Sequence, residues 1–350
     1  MKRIAIFQKD LRVGGIQKSL VNLLGELELD KLRVDVYLFD TQHAFELPQH
    51  ENIRYIYNKP YPFLYKFIYF DILRRFAPAP AADTEYDLAV DFNSYSSECA
   101  VGALSVKAKK RVMWVHNDVD IKLQQEPKYA VLWHFFKGKL KYYDEFCAVS
   151  PGIVDGFKKR SGLEDAIFRV IQNRISAEDI FAKAEEKVDF AVSADEYNLC
   201  TLGRLCHMKG FDIMLQYMQE IHRRRSDIHL YMIGDGPDRE KLEGMVKDLG
   251  LESCVSMLGS KANPFPYLAQ MDGFAFTSRY EGQGMVVLEA KALGLELFIE
   301  RHLEKYNPGI EGCDSVVEAI CAAKRREKAR DDLRGYNEQI SREINKLFGI

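Results

Sequence analysis

Short apolar runs alternate with amphipathic stretches along this chain. Ile4-Ala5-Ile6-Phe7 is apolar without alternation, as a parallel strand covered on both faces requires. Gly14-Gly15 follow a polar loop, and then Ile16, Leu20, Leu23, Leu24 and Leu27 recur at helical spacing. Val34-Asp35-Val36-Tyr37-Leu38-Phe39 reads as the next strand. Strand, glycine loop, helix and strand make one βαβ unit. Apolar runs at 88–90, 111–115 and 146–149 continue the pattern. The pattern predicts a doubly wound α/β domain with a parallel sheet.

A second cycle starts at Leu199-Cys200-Thr201-Leu202 and its Gly203-Arg204-Leu205 turn. Helices are predicted over 211–223, 238–249 and 284–293, and strands over 229–233, 255–258 and 273–276. The chain is therefore expected to hold two Rossmann-like domains, 1–172 and 173–334. A hinge is expected around 171–195, and a C-terminal helix at about 335–350 should pack back on the first domain. At 350 residues the chain exceeds what one core usually organises.

One stretch breaks the rhythm. Residues 54–80 hold Tyr55, Tyr57, Tyr61, Phe63, Tyr65, Phe67, Tyr69, Phe70 and Phe76 among Arg54, Lys59, Lys66, Arg74 and Arg75. Two readings stand: an aromatic helix packed on the core with a basic edge, or a surface that touches membrane or a lipid-linked molecule.

Composition narrows the class. Hydrophobic residues make up 47% and charged residues 29%, which excludes a disordered chain. Residues 1–170 carry 25 Lys and Arg against 22 Asp and Glu, and the remainder 24 against 30. That asymmetry is too mild for a nucleic-acid-binding domain, but it suits a first half that sits near anionic lipid. The seven cysteines show no C-x-x-C spacing, so neither a disulfide framework nor a thiolate metal site is expected. No run of 18 apolar residues occurs, and the apolar start is too short for a signal peptide. A cytoplasmic protein is expected, free or held at the inner face of the cell membrane.

The candidate chemistry lies in the second half. Ser278-Arg279-Tyr280-Glu281-Gly282-Gln283-Gly284-Met285-Val286 leads from a strand into a helix that contains Glu289. A helix start offers free N–H groups and the positive end of a dipole, a seat for a diphosphate. Glycine lets the ligand come close to the backbone. Glu281 before the helix and Glu289 inside it can flank one ligand, Glu281 toward a sugar and Glu289 toward vicinal hydroxyls. Gly203-Arg204-Leu205-Cys206-His207-Met208-Lys209-Gly210 follows the first strand of the second domain, where open α/β sheets bind ligands. Arg204 and Lys209 can neutralise a departing diphosphate.

In series, Gly203-Arg204-Leu205 with Lys209-Gly210, Ile233-Gly234-Asp235-Gly236-Pro237, and Glu281 through Glu289 resemble the family-four (group 1) retaining glycosyltransferases of bacterial cell-surface polysaccharide type. Gly14-Gly15, Ala148-Val149-Ser150-Pro151-Gly152 and Ile171-Gln172-Asn173 are similar to that family's other landmarks. The resemblance implies the GT-B fold, two Rossmann-like domains facing across a cleft. It implies that Arg204, Lys209, Glu281 and His116 serve catalysis. Gly203, Asn263, Pro264, Tyr267, Gly282, Gln283, Gly284, Met285, Val286 and Glu289 would then bind the donor, with Gly14 and Gly15 on the acceptor side. The implied reaction moves a hexose-type sugar from a nucleotide-sugar, UDP by preference, to a glycan or lipid-linked acceptor with retention. The nucleotide-sugar is a substrate, so no cofactor is expected. No metal is expected either, because Asp118-Val119-Asp120 has D-x-D spacing but falls in the first domain.

The chain departs from the family in having Glu296 where proline is usual, and Glu300 follows closely. Two acids flanking a buried strand would weaken the donor domain. Two other readings remain open at this point, a catalytically silent nucleotide-sugar-binding partner subunit and a nucleotide-sugar epimerase of GT-B shape.

Overall fold

The unbroken apolar runs form parallel strands in a computed structural model that describes residues 1–12, 14–80 and 84–350. Two units result. Unit one comprises Met1–Arg174 with Gly335–Ile350, and unit two comprises Ile175–Arg334.

Unit one is built on a parallel sheet of β1 (Lys2–Gln8), β2 (Leu32–Leu38), β3 (Ile53–Tyr57), β4 (Tyr86–Asp91), β5 (Ala108–Val115), β6 (Glu145–Ala148) and β7 (Phe168–Val170). Their order across the sheet is β3-β2-β1-β4-β5-β6-β7. The chain winds outward from β1 on one side and from β4 on the other, so the switch point lies between these two strands. Ile4, Ala5, Ile6 and Phe7 are fully buried, which accounts for the unalternating sequence of β1. The helix Ser97–Ser105 packs closely because Gly102 lacks a side chain; a Cβ there would lie 2.4 Å from the Phe7 ring. The helix Arg334–Phe348 belongs to unit one through its buried Ile340, Ile344, Leu347 and Phe348, and Tyr336 donates a hydrogen bond to the Asn173 carbonyl at 2.8 Å.

The stretch 54–80 is not the single aromatic helix that its composition allowed. It contains the edge strand β3, a 3-10 turn Phe63–Phe67 and a short helix Phe70–Phe76. Phe70 and Leu73 are buried, whereas Phe63, Phe67, Tyr69 and Phe76 are exposed. Proline explains the interruption: Pro60 and Pro62 lack the N–H that a continuous helix needs.

Unit two holds β8 (Tyr197–Leu202), β9 (Ile228–Ile233), β10 (Val255–Gly259), β11 (Gly273–Phe276) and β12 (Glu296–Ile299). They run parallel in the order β10-β9-β8-β11-β12. The switch point lies between β8 and β11. Leu199, Met214, Leu215, Met218, Ile221, Leu230 and Ile320 form the centre of the core. The helix Phe211–Arg224 buries its apolar stripe there at Phe211, Met214, Leu215, Met218 and Ile221.

The two acids around β12 are accommodated. Glu296 accepts a hydrogen bond from the Tyr197 hydroxyl at 3.0 Å, and Glu300 accepts one from Tyr217 at 2.9 Å. A partnered carboxylate at a sheet end avoids most of the cost of burial.

Gly210 is the tightest point of unit two. It has φ +63°, and a Cβ there would lie 1.9 Å from the Thr277 carbonyl oxygen. The Gly210→Ala variant should therefore lose about 2 kcal/mol or more, from left-handed strain plus displacement of the β11 loop. Guanidinium unfolding followed by circular dichroism measures this; an unchanged midpoint would contradict it.

Candidate active site

Three loops leave the carboxyl ends of β8, β9 and β11 and lock together through backbone. The Gly203 N–H donates to the Ile233 carbonyl at 3.0 Å, and the Leu205 N–H to the Asp235 carbonyl at 3.0 Å. Gly234 has φ +139°, and its α-carbon passes so near Gly203 that a Cβ would lie 1.9 Å from that carbonyl oxygen. On the other side the Thr277 hydroxyl donates to the Gly210 carbonyl at 3.0 Å, and the Arg279 N–H donates to the Met208 carbonyl at 2.8 Å. Arg279 also forks onto Asp212 with two bonds of 2.8 Å, which ties the β11 loop to the helix after β8.

This scaffold brings Lys209 and Glu281 together, 72 residues apart in sequence. The Lys209 ammonium donates to Glu281 Oε1 at 2.7 Å. Their side chains are only 17% and 6% exposed, so the pair sits largely out of water. The Lys209 stem runs beside Gly203, 3.7 Å from where a Cβ would stand. Immediately after Glu281 the chain turns into the helix Met285–Ala292. Glu289 lies within that helix and is buried, not solvated.

Arg204 behaves differently. It is exposed and has no hydrogen-bond or ion-pair partner among the described residues, so the pair contains one of the two expected cations. The amide of Gly284 is already used: it donates to Asn307 Oδ1 at 3.1 Å. Asn307 is 2% exposed and donates in turn to the Leu303 carbonyl at 2.9 Å. The amide of Met285 points back to the Gln283 carbonyl at 3.1 Å. Asn263, Pro264 and Tyr267 follow the edge strand β10, with β9 between them and β8. Asn263 caps the short helix Phe265–Leu268 by accepting from the Phe265 N–H at 3.1 Å, and donates to the Lys183 carbonyl at 2.8 Å. No hydrogen bond or ion pair joins these three residues to the Lys209–Glu281 pair among the described residues.

Two neighbours of the site had no signal in the sequence. Asn307 stands in an Asn-Pro-Gly stretch that reads only as a turn. His302 bridges the Ser278 carbonyl, 3.0 Å from Nε2, and Glu300, 3.0 Å from Nδ1. The hydrogen bond to Glu300 raises the His302 pKa against the desolvation that lowers it.

Unit one gathers polar groups at the carboxyl ends of β1, β4 and β5. Gly14 precedes the helix Gly15–Leu24, whose first turn bonds back through the Lys18 N–H to the Gly14 carbonyl at 3.0 Å. Past β4, the fully buried Lys139 lies 3.3 Å from Asp91, which also accepts from the Tyr143 hydroxyl at 2.7 Å. Burial pushes the Asp91 carboxyl up, and Lys139 and Tyr143 oppose that shift. Asp91 and Lys139 also hold the loop after β4, through the Asn93 N–H at 3.2 Å and the Ser96 carbonyl at 3.4 Å. His116 follows β5. Its ring packs 4.7 Å from Phe92, and Nε2 has no partner among the described residues. Desolvation lowers its pKa to about 3, outweighing a hydrogen bond to the Phe92 backbone. The imidazole is therefore neutral near pH 7, with its Nε2 lone pair available to accept a hydrogen bond.

Two Rossmann-like units, each on a parallel sheet, are the architecture of the GT-B class of glycosyltransferases. The solved structure of Anabaena HepE in complex with UDP is similar over 100% of both chains, with a TM-score of 0.63 at 17% identity. The family described as Glycosyltransferase Family 4 matches residues 13–179, and Glycosyl transferases group 1 matches residues 182–300. The chain belongs to the group 1, family-four glycosyltransferases. Among relatives, a Campylobacter jejuni enzyme is 25% identical over 306 residues, 86% of this chain and 81% of its own. It is the N-acetylgalactosamine-N,N'-diacetylbacillosaminyl-diphospho-undecaprenol 4-alpha-N-acetylgalactosaminyltransferase. The lipopolysaccharide core biosynthesis glycosyltransferase LpsE of Rhizobium meliloti is 31% identical over 150 residues, 41% of this chain and 40% of its own.

The burial of His116 makes stability depend on pH. Its folded pKa of about 3 lies below the unfolded value, about 6.5. Its contribution is thus whole above about pH 6.5 and falls away as the pH drops toward 3. The His116→Gln variant should lose less stability than the wild type over that acid range. Melting temperatures across the pH series check this, and parallel curves would contradict it.

Proposed function

We propose that the enzyme moves a hexose-type sugar from a UDP-sugar to a glycan or lipid-linked acceptor, with retention and without a metal, in surface polysaccharide or glycoconjugate biosynthesis. The observation that carries this reading is the water-shielded Lys209–Glu281 pair, set between the β8 and β11 loops at the start of a helix. Unit two is the donor side in this reading, and unit one, with Gly14, Gly15 and His116, is the acceptor side. The UDP in the HepE complex supports the choice of base. The diphospho-undecaprenol in the Campylobacter enzyme's name supports a lipid-linked acceptor. Such an acceptor would bring the enzyme to a membrane surface, where the exposed rings of 54–80 supply contact.

In this mechanism Lys209 places its positive charge on the leaving diphosphate, in surroundings dry enough to make that charge count. Arg204 faces solvent and swings onto the same phosphates when donor arrives. Glu281 holds Lys209 in place and accepts from a sugar hydroxyl. Glu289 accepts from the ribose. Gly203 leaves room for the diphosphate beside Lys209, and the helix Met285–Ala292 turns the positive end of its dipole toward it. Because Asn307 engages the Gly284 amide, it acts as a positioning residue that fixes the turn. Asn263, Pro264 and Tyr267 flank the base.

The acceptor oxygen forms a bond to the anomeric carbon as the bond from that carbon to the diphosphate oxygen breaks. The acceptor proton passes to the departing phosphate oxygen on the same face, so no separate base is required. His116 is neutral and accepts a hydrogen bond from the acceptor, which orients it without adding charge.

A thermal-shift screen of nucleotides and nucleotide-sugars should single out UDP and one UDP-sugar, since a ligand raises the melting point by mass action. With that donor, Lys209→Ala should lower kcat/KM roughly 10²-fold, the scale for one charge stabiliser. Glu289→Ala should act mainly by raising the donor KM, and turnover should persist in EDTA. Wild-type kinetics in both variants would reject the site. Conversion of donor without acceptor would favour an epimerase, and binding without turnover on any acceptor a silent partner subunit.

A further inference from the structure

His302 joins the loop after β12 to the segment that leads into the helix Met285–Ala292. Its Nε2 lies 3.0 Å from the Ser278 carbonyl and its Nδ1 3.0 Å from Glu300 Oε2. Both partners are oxygens that accept and cannot donate. A neutral imidazole has one N–H and one lone pair, whereas an imidazolium has two N–H groups. The imidazolium alone can donate to both oxygens at once. In the neutral ring one nitrogen would turn its lone pair toward an oxygen, and that contact would be lost.

The charges around the ring leave this count unchanged. Glu300 Oε1 accepts from Tyr217 at 2.9 Å, so the carboxylate meets a donor on each oxygen. Burial raises the Tyr217 hydroxyl to about 12, and its bond to Glu300 adds to the shift. Arg279 is drawn toward Glu300 and Asp238, but its guanidinium is forked onto Asp212. Arg301 faces Asp314 at 2.5 Å and Glu304 at 3.4 Å. The His207 ring is exposed on the β8 loop, whose backbone accepts from Arg279. The hydrogen bond to Glu300 raises the His302 pKa against desolvation, and the Ser278 and Arg279 backbone add to the rise. The two-donor ring is therefore whole below the ordinary value, about 6.5. It is lost as the pH rises through the higher folded value.

Ser278 is fully buried and lies three residues before Glu281. Its hydroxyl has no partner among the described residues, so the hold on it is the bond from His302 to its carbonyl. The neighbouring holds are the Arg279 N–H on Met208 and Asn307 on Gly284. Neither involves a group that loses a proton near neutral pH.

We propose that His302 is a positioning residue for the donor: its imidazolium, held between Glu300 and Ser278, keeps the turn before Glu281 in its donor-binding shape. When one proton leaves, the remaining N–H stays on the carboxylate, the stronger acceptor. The Ser278 carbonyl is released and the turn loosens. Protonation and donor affinity are thereby coupled, and the coupling is reciprocal. This role rests on the reading of Lys209, Glu281 and the turn 282–286 as the donor seat.

Calorimetry of UDP binding to the full chain, His302→Ala and His302→Arg tests it between about pH 6 and about pH 9, where a histidine of raised pKa loses its proton. Wild-type affinity should fall about tenfold relative to His302→Arg across that range, the scale of one hydrogen bond to a charged group. His302→Ala should bind about tenfold more weakly than wild type at the acid end and equal it at the alkaline end. His302→Arg keeps its charge and its donors at every pH, so it should hold the acid-side affinity throughout. The titrations of UDP and of His207 are common to all three forms and cancel. A side chain that served stability alone would cost His302→Ala the same factor at every pH. Imidazole 1H–15N spectra of the wild type give a second readout that needs neither variant to fold. Both His302 nitrogens should carry protons at the acid end, and the ring should titrate about one pH unit higher with UDP bound. Parallel affinity profiles in the three forms, or a singly protonated His302 at the acid end, would overturn the proposal and leave the donor reading standing. Absence of UDP binding in every form at every pH would reject the donor reading and this role with it.

Discussion

The switch point of unit two depends on one close approach, the backbone of Gly210 against that of Thr277. Only a residue without a Cβ permits it, since any Cβ would overlap the Thr277 carbonyl. It sets the β8 loop against the β11 loop, and Lys209 and Glu281 are the side chains that then meet. A pair so shielded contributes little net stability compared with apolar residues of similar size, and leaving either charge alone there is costly. Its position at a topological switch point is where an α/β sheet offers strand ends and helix starts to a ligand. Stability alone is a weak reason to keep an ammonium and a carboxylate at that place; a use for the charge is a better one.

The surroundings constrain which groups share that use. The Gly284 amide is committed to Asn307 and the Met285 amide to Gln283, so the start of the helix is braced by the chain itself. His302 holds the carbonyl of Ser278, three residues before Glu281. The segment 300–307 therefore works as a support for the turn. In unit one the same economy appears at β4 and β5. A buried Asp91–Lys139–Tyr143 group fixes one loop, and a neutral His116 stands at the end of the next strand.

Much of this was legible in the sequence because the signals were periodic or glycine-dependent. Apolar runs such as Ile4–Phe7 and Leu199–Leu202 announced buried parallel strands, and Gly203, Gly210 and Gly234 marked the turns where backbones touch. Lys209 and Glu281 were legible for the same reason, each lying directly beside a glycine turn. The edge strands β3 and β7 were not, since Arg54 and Arg169 interrupt runs already short. Residues 54–80 hid a strand, a 3-10 turn and a helix behind one aromatic composition. Asn307 and Lys139 were invisible for a different reason. Their partners, Gly284 and Asp91, are 23 and 48 residues away in sequence, and no local pattern encodes such a contact.

In the proposed reading the Lys209–Glu281 pair is the diphosphate seat. A crystal structure of the chain soaked with UDP is the sharpest test. The diphosphate is expected within about 3 Å of the Lys209 ammonium and beside the turn 282–286, with the ribose toward Glu289. Clear density for UDP elsewhere in unit two, with the Lys209–Glu281 pair untouched, would contradict it.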